Sequence, residues 1–234
     1  MNDFAEIVVL VEGPTEKIFI DSVLAPYLVQ KQVIMRPIII SKHGQKGGDV
    51  KFARVVNDIR DHLKQRGDTW LTLLLDFYGI KEWPGLDEAR MQRSPAQKAQ
   101  KFHEMTKVRV VELFGEWRPD VRFLPYVAMH EFEALLFSHP QILADQLGVE
   151  VSEINEILTE CGDPEKINNS PDTAPSKRLE NLCERYKKTS TGITIAKAIG
   201  IDTMRRKCPL FNAWLVAIEE LPETQAWPTK SVRP

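Results

Sequence analysis

The 234-residue chain is 43% hydrophobic and 27% charged, with a formal net charge of −2. That is the balance of an ordinary folded domain, and it excludes disordered and fibrous classes. Its apolar runs, such as Ile7–Val11 and the Thr72-interrupted Leu71–Leu75, have strand length, and none approaches the roughly 18 residues that span a bilayer. The first residues hold neither a basic nor an apolar signal region. Cys161, Cys183 and Cys208 form no CxxC pair, so a reduced, cytoplasmic setting is expected.

Glu6–Val11 is a β-branched run expected of a strand buried on both faces of a parallel sheet. It stops at Glu12-Gly13-Pro14-Thr15-Glu16, where Thr15 is positioned to cap a helix reaching Pro26 or slightly beyond. Val33–Ile40 is the second strand, with Pro37 pointing to an edge position or a bulge. Ser41–Gly48 is a polar, glycine-rich loop. Val50–Gln65 has the apolar spacing of an amphipathic helix. Thr69–Leu75 is the third strand and runs into Asp76. Residues 79–95 are irregular, Ala96–Phe114 is a helix, and Val121–Met129 is the fourth strand. His130–Phe137 reads as a helix start. After Pro140 strand signals nearly vanish, and helices are expected near 140–147, 152–160, 176–187, 193–198 and 209–221. The expected fold is α/β, a mainly parallel sheet flanked by helices with a helical C-terminal part. Residues 1–139 would form the α/β domain and 140–234 a helical extension packed on it.

Parallel sheets collect functional groups at the carboxyl ends of their strands. Here those ends are acidic: Glu12 with Glu16 one turn on, Asp76, and Glu131 with Glu133. Converging carboxylates repel one another unless a divalent cation neutralises them, and all-oxygen ligands select Mg²⁺ or Mn²⁺. That combination suits phosphoryl-transfer chemistry. Glu16 is equally well read as a first-turn acid complementing the helix dipole. A regular helix cannot turn both Glu131 and Glu133 inward, and Glu131 is the one expected in solvent. Asp76, after an apolar run, needs a partner at that depth.

The Val11-Glu12-Gly13-x-Thr15-Glu16 turn, with an aspartate ending the third strand, resembles the Toprim domain of topoisomerases, primases and OLD-type nucleases. The His130–Phe137 stretch and the Ile167-Asn168-Asn169-x-x-x-Thr173-Ala174-Pro175-Ser176-Lys177-Arg178 stretch resemble a small bacterial Toprim-like family long known only as a domain of unknown function. The resemblance spans roughly residues 5–210. It implies Glu12 as metal ligand or general acid–base, Glu16 as a second ligand, and Asp76 as the first aspartate of a DxD pair. Tyr78 stands where the second aspartate belongs, and Glu131 or Glu133 would supply the missing carboxylate. It also implies a basic residue beside the scissile phosphate, for which Lys177 is the candidate with Arg178 behind it. OLD-like nucleases commonly pair with an ABC/AAA-type ATPase, which here would be a separate protein.

Charge is unevenly spread. Residues 1–170 carry 20 Lys and Arg against 26 Asp and Glu, whereas residues 171–234 carry 11 against 7. Lys187, Lys188, Arg205 and Arg206 join Lys177, Arg178, Lys42 and Lys46 as candidate nucleic-acid contacts. A solvated helix face accounts for the basic clusters equally well. Gly44–Gly48 is not a Walker A loop, although its backbone has the composition to cradle a phosphate. His130-Glu131 is not a zinc motif, because position 134 is alanine. His62 and His103 are expected at the surface of their helices. The expected function is a Mg²⁺- or Mn²⁺-dependent phosphodiesterase acting on nucleic acid, DNA ahead of RNA, with phage defence as the setting the resemblance implies. The rival is a non-catalytic adaptor that binds nucleic acid or an ATPase. A nucleotide-binding enzyme using the Gly44–Gly48 loop leaves Glu12 and Asp76 unexplained.

Overall fold

The computed structural model describes residues 4–41, 50–167 and 173–222. The expected Gly44–Gly48 loop, with Lys42 and Lys46, lies outside those residues. Strands β1 (Ala5–Val11), β2 (Val33–Ile39), β4 (Trp70–Asp76), β6 (Phe123–Leu124) and β7 (Val127–Ala128) form one sheet, while β3 (Val50–Lys51) and β5 (Ile80–Lys81) pair separately. Every pairing is parallel. The main sheet runs β2-β1-β4-β6, with β7 also on β4. The chain therefore steps from β1 to β2 on one side and returns to β4 on the other. The strand order reverses between β1 and β4, which opens a crevice beyond their carboxyl ends.

Alternation along the strands divides the core between the two faces. Ile7, Val9, Val11 and Leu74 pack with the helical run that follows β1 and with the C-terminal helices through Leu143, Leu179, Ile195, Phe211 and Leu215. Leu10, Leu71, Leu73 and Leu75 pack with helices Phe52–Gln65 and Pro95–Phe114 through Val55, Ile59, Phe102 and Val110. The result is a parallel sheet flanked by helices, with a helical C-terminal part. Pro37 sits on β2, at the sheet edge, where its missing N–H breaks no ladder.

Several boundaries depart from expectation. Gly13, not Thr15, occupies the N-cap, with Pro14 beginning the helix at a position where no N–H is needed. The run from Pro14 to Val29 holds a π turn at Ile20–Leu24 just before Pro26, which has no N–H to give a regular turn. The fourth strand is two short pieces separated by Pro125 and Tyr126, since Pro125 cannot donate to the ladder. Phe132–Ser138 is a 3₁₀ helix. The segment expected as one helix over 176–187 ends at Leu182, and a π turn covers Lys188–Gly192. The basic stretch Arg205–Lys207 closes a further helix, Ile201–Lys207. His103 is drawn under the sheet, where Nε2 accepts a hydrogen bond from the Val127 backbone at 2.9 Å. Among the described residues no helix is long and apolar enough to cross a membrane.

Candidate active site

At the crevice between β1 and β4 lies a cavity of about 420 Å³. Glu12, Glu16, Asp76 and Glu131 line it, together with His130 and Lys188. Three strand ends deliver these groups. Glu12 follows β1 directly, and Glu16 stands in the first turn of the next helix. Asp76 is the last residue of β4 and pairs in register with Ala128 of β7, two positions before His130.

Asp76 caps the 3₁₀ turn Phe77–Gly79, its Oδ1 accepting from the Tyr78 backbone N–H at 3.0 Å. Burial pushes its carboxyl up to about 7, against the Tyr78 N–H, and the charges of Glu131, Glu12 and Glu16 push the same way. A Cβ on Gly79 would make ordinary van der Waals contact, 3.5 Å from Glu12 Oε2 and 4.0 Å from Asp76 Oδ2, so both oxygens border the same small space. The donors facing that space are carboxylate oxygens, the chemistry of a hard cation. Among the described residues, no three His, Cys, Asp or Glu side chains close into a ready-made metal cage. The arrangement fits an ion that keeps much of its water and takes one or two carboxylates, as Mg²⁺ does.

Glu131 and Glu133 behave differently from expectation. Glu131 precedes the 3₁₀ segment in an extended conformation, so a regular helix never forces the two apart. Glu131 Oε2 accepts from the Ser176 N–H at 3.0 Å, at the start of helix Pro175–Leu182, and Oε1 accepts from Lys188 Nζ at 3.0 Å. Burial raises the Glu131 carboxyl, but Ser176 and Lys188 outweigh it and hold the group below its ordinary value. Glu133 is 1% exposed and does not line the cavity. Its Oε1 makes no hydrogen bond, and Lys188 Nζ stands 3.4 Å away as an ion-pair contact. Burial pushes Glu133 up to about 7 in spite of Lys188. Burial lowers the Lys188 ammonium, and the two glutamates more than reverse that.

The other sequence candidates lie elsewhere. Lys177 Nζ pairs with Glu180 at 2.6 Å on its own helix, outside the cavity lining. Arg178 is turned inward onto Glu160, the Thr173 carbonyl and Cys161. Arg205 is held by Tyr27, Asn212 and Glu219. Arg206 bonds Thr203, and Lys187 is exposed. The lysine of the cavity is Lys188, which sequence reasoning placed only among general basic contacts. Its spacing from Glu131 carries no local signal, because the pair spans 57 positions.

Sequence reasoning also passed over His130 as a functional group. It is 4% exposed, with Nε2 2.7 Å from the Glu165 carbonyl and its ring stacked on Tyr78 at 5.6 Å and 7°. Burial pushes the imidazole down to about 4, with the Glu165 carbonyl acting in the opposite direction. It is therefore neutral near pH 7. Glu165 in turn accepts from the Leu210 and Phe211 N–H groups at 2.9 Å each.

A family model described as a domain of unknown function (DUF4276) matches residues 11–219. No curated protein matches the chain. Among solved structures, the C-terminal region of the Xanthomonas campestris pv. campestris OLD protein is similar, with a TM-score of 0.42 and 13% identity over 95% of this chain and 98% of that one. That likeness is too distant to inform the chemistry.

Proposed function

We propose that this chain, which belongs to the DUF4276 family, is a divalent-metal-dependent phosphodiesterase acting on nucleic acid. One observation carries the reading. Carboxylates from separate strand ends meet at the point where the sheet order reverses, and one of them, Asp76, is buried among like charges. Such an arrangement is costly without a cation. Glu12 and Asp76 would hold Mg²⁺ or Mn²⁺, with Glu16 alongside. When bound, the ion supplies Lewis acidity toward a phosphate oxygen and acidifies a bound water. Lys188, held at the cavity wall by Glu131, would donate hydrogen bonds to a phosphate oxygen on which negative charge develops. The Toprim resemblance of Glu12, Glu16 and Asp76 supports the nucleic-acid substrate. A separate ATPase partner and a role against phage DNA enter the proposal through that resemblance alone.

The test is cleavage of plasmid DNA and structured RNA in Mg²⁺, Mn²⁺ and EDTA, with Glu12→Ala and Asp76→Ala beside wild type. Metal-dependent cleavage lost in both variants supports the reading. Cleavage that survives in them defeats it.

A second reading, a non-catalytic module that binds nucleic acid or an ATPase, is favoured by Tyr78. A ring stacked on His130 stands where the resemblance calls for a second aspartate. Mn²⁺ binding lost in Asp76→Ala, with no cleavage even beside an ATPase partner, would select it.

A further inference from the structure

Glu133 interrupts an apolar stretch. Phe132, Ala134, Leu136 and Phe137 around it are buried, and the glutamate is buried with them. A carboxylate at that depth is costly, and an apolar side chain of similar size would avoid the cost. Its Oε1 has no hydrogen bond among the described residues. The charge that answers it is Lys188 Nζ at 3.4 Å. The Tyr186 hydroxyl is likewise buried without a hydrogen bond among the described residues. Burial, and then the nearby Glu133 charge, keep it protonated. Gly192 leaves that hydroxyl its room, since a Cβ there would come within 2.7 Å of it.

Lys188 reaches the cavity that Glu133 does not. It lines the wall and is 37% exposed. An ammonium carries three donors at the end of a flexible four-carbon stem. One of them goes to Glu131 Oε1 at 3.0 Å. Held by that contact alone, the group would still swing on its stem. Glu133 attracts it from a second carboxylate and restricts that swing. The two anchors differ in kind. Glu131 borders the cavity, where an incoming phosphate competes for the same lysine. Glu133 is outside the lining, so its pull persists when the cavity is occupied.

We propose that Glu133 is a positioning residue, which from outside the cavity fixes the Lys188 ammonium where it meets a phosphate oxygen. The proposal rests on the phosphodiesterase reading and adds to it a residue that never touches substrate.

The experiment is a double-variant cycle on wild type, Glu133→Met, Lys188→Met and the two combined. Two quantities are read in Mn²⁺: the rate of cleavage of plasmid DNA and structured RNA, and the affinity for inorganic phosphate by titration calorimetry. Glu133→Met fills the space but cannot hold the ammonium. It is expected to slow cleavage about tenfold, since misplacing a group by about 1 Å can cost a hundredfold. Glu133→Gln, which keeps an acceptor oxygen, should recover part of that loss. With Lys188→Met already present, Glu133→Met should change rate and affinity by less than about twofold, because the two residues act as one unit. A merely structural residue would lower both backgrounds by the same factor. If Glu133→Met does not fold, Glu133→Gln takes its place in the cycle, with the same pattern expected from a smaller loss. Equal factors in the two backgrounds, or a Glu133 variant as active as wild type, overturn the positioning role and leave the phosphodiesterase. No cleavage by wild type, with phosphate affinity following the coupled pattern, removes the phosphodiesterase and keeps the positioning role. Neither cleavage nor phosphate binding removes both.

Discussion

Lys188 Nζ meets Glu131 Oε1 at 3.0 Å, tying the π turn Lys188–Gly192 to the segment that follows β7. The lysine also neutralises Glu133 from 3.4 Å, so one cation serves two carboxylates, one of them almost wholly buried. Removing it strands Glu133 and leaves Glu131 with the Ser176 N–H alone. Lys188→Met is expected to cost about 1–3 kcal/mol, the penalty for a buried group left unsatisfied, toward the lower end because the lysine is 37% exposed. Urea unfolding measures this. Adding Glu133→Gln to Lys188→Met should return part of the loss. A double variant no more stable than Lys188→Met would show that the pair does not couple.

Asp76 makes the opposite prediction. Asn keeps the oxygen that accepts from Tyr78 N–H but removes a charge crowded by Glu131, Glu12 and Glu16. Asp76→Asn should therefore raise the Tm of the metal-free protein by a few degrees, about 1 kcal/mol for a chain of this size. It should also abolish Mn²⁺ binding and metal-dependent cleavage. A lowered Tm would mean that the carboxylate stabilises the fold directly.

Arg205 and Arg206 should separate. Arg205 connects Tyr27, Asn212 and Glu219, so Arg205→Ala is expected to lose roughly 1–2 kcal/mol in chemical denaturation. Arg206, exposed and bonded only to Thr203 among the described residues, should give under about 0.5 kcal/mol when changed to alanine. If nucleic acid contacts this helix, Arg206→Ala reduces the salt dependence of binding instead.

His103 sets an acid limit. Burial holds its folded value near 4, below its ordinary 6.5, while Nε2 accepts from Val127. The unfolded chain thus binds the extra proton between those values. The stability His103 contributes is complete above about pH 6.5 and drains away as pH falls toward 4, a loss of roughly 2–3 kcal/mol. His103→Gln, which can accept the same hydrogen bond, should flatten the unfolding free energy over that interval. An unchanged pH slope in the variant would assign the acid sensitivity elsewhere.

The sheet was readable because its signals are local. The β-branched run of β1, the apolar run of β4 and the edge proline of β2 each declare themselves within seven residues. Their acidic ends followed from the parallel arrangement, and the structure brings Glu12, Glu16, Asp76 and Glu131 to one cavity. Less readable were features decided by hydrogen-bond detail. The split of the fourth strand at Pro125, the 3₁₀ form of Phe132–Ser138 and the π turns leave the apolar periodicity almost unchanged. The cavity lysine was illegible for another reason. Lys177 and Lys188 sit in similarly basic surroundings, and only the end of helix Pro175–Leu182 aims one of them at Glu131. His103 likewise shows nothing in its own helix of the strand end that covers it.

Glu165 grips both ends of a short linkage. Its carboxylate holds the first amides of helix Pro209–Glu219, and its carbonyl fixes the His130 ring. The start of that helix is thus tied to the cavity twice, directly through Phe211 in the lining and indirectly through Glu165 to the imidazole.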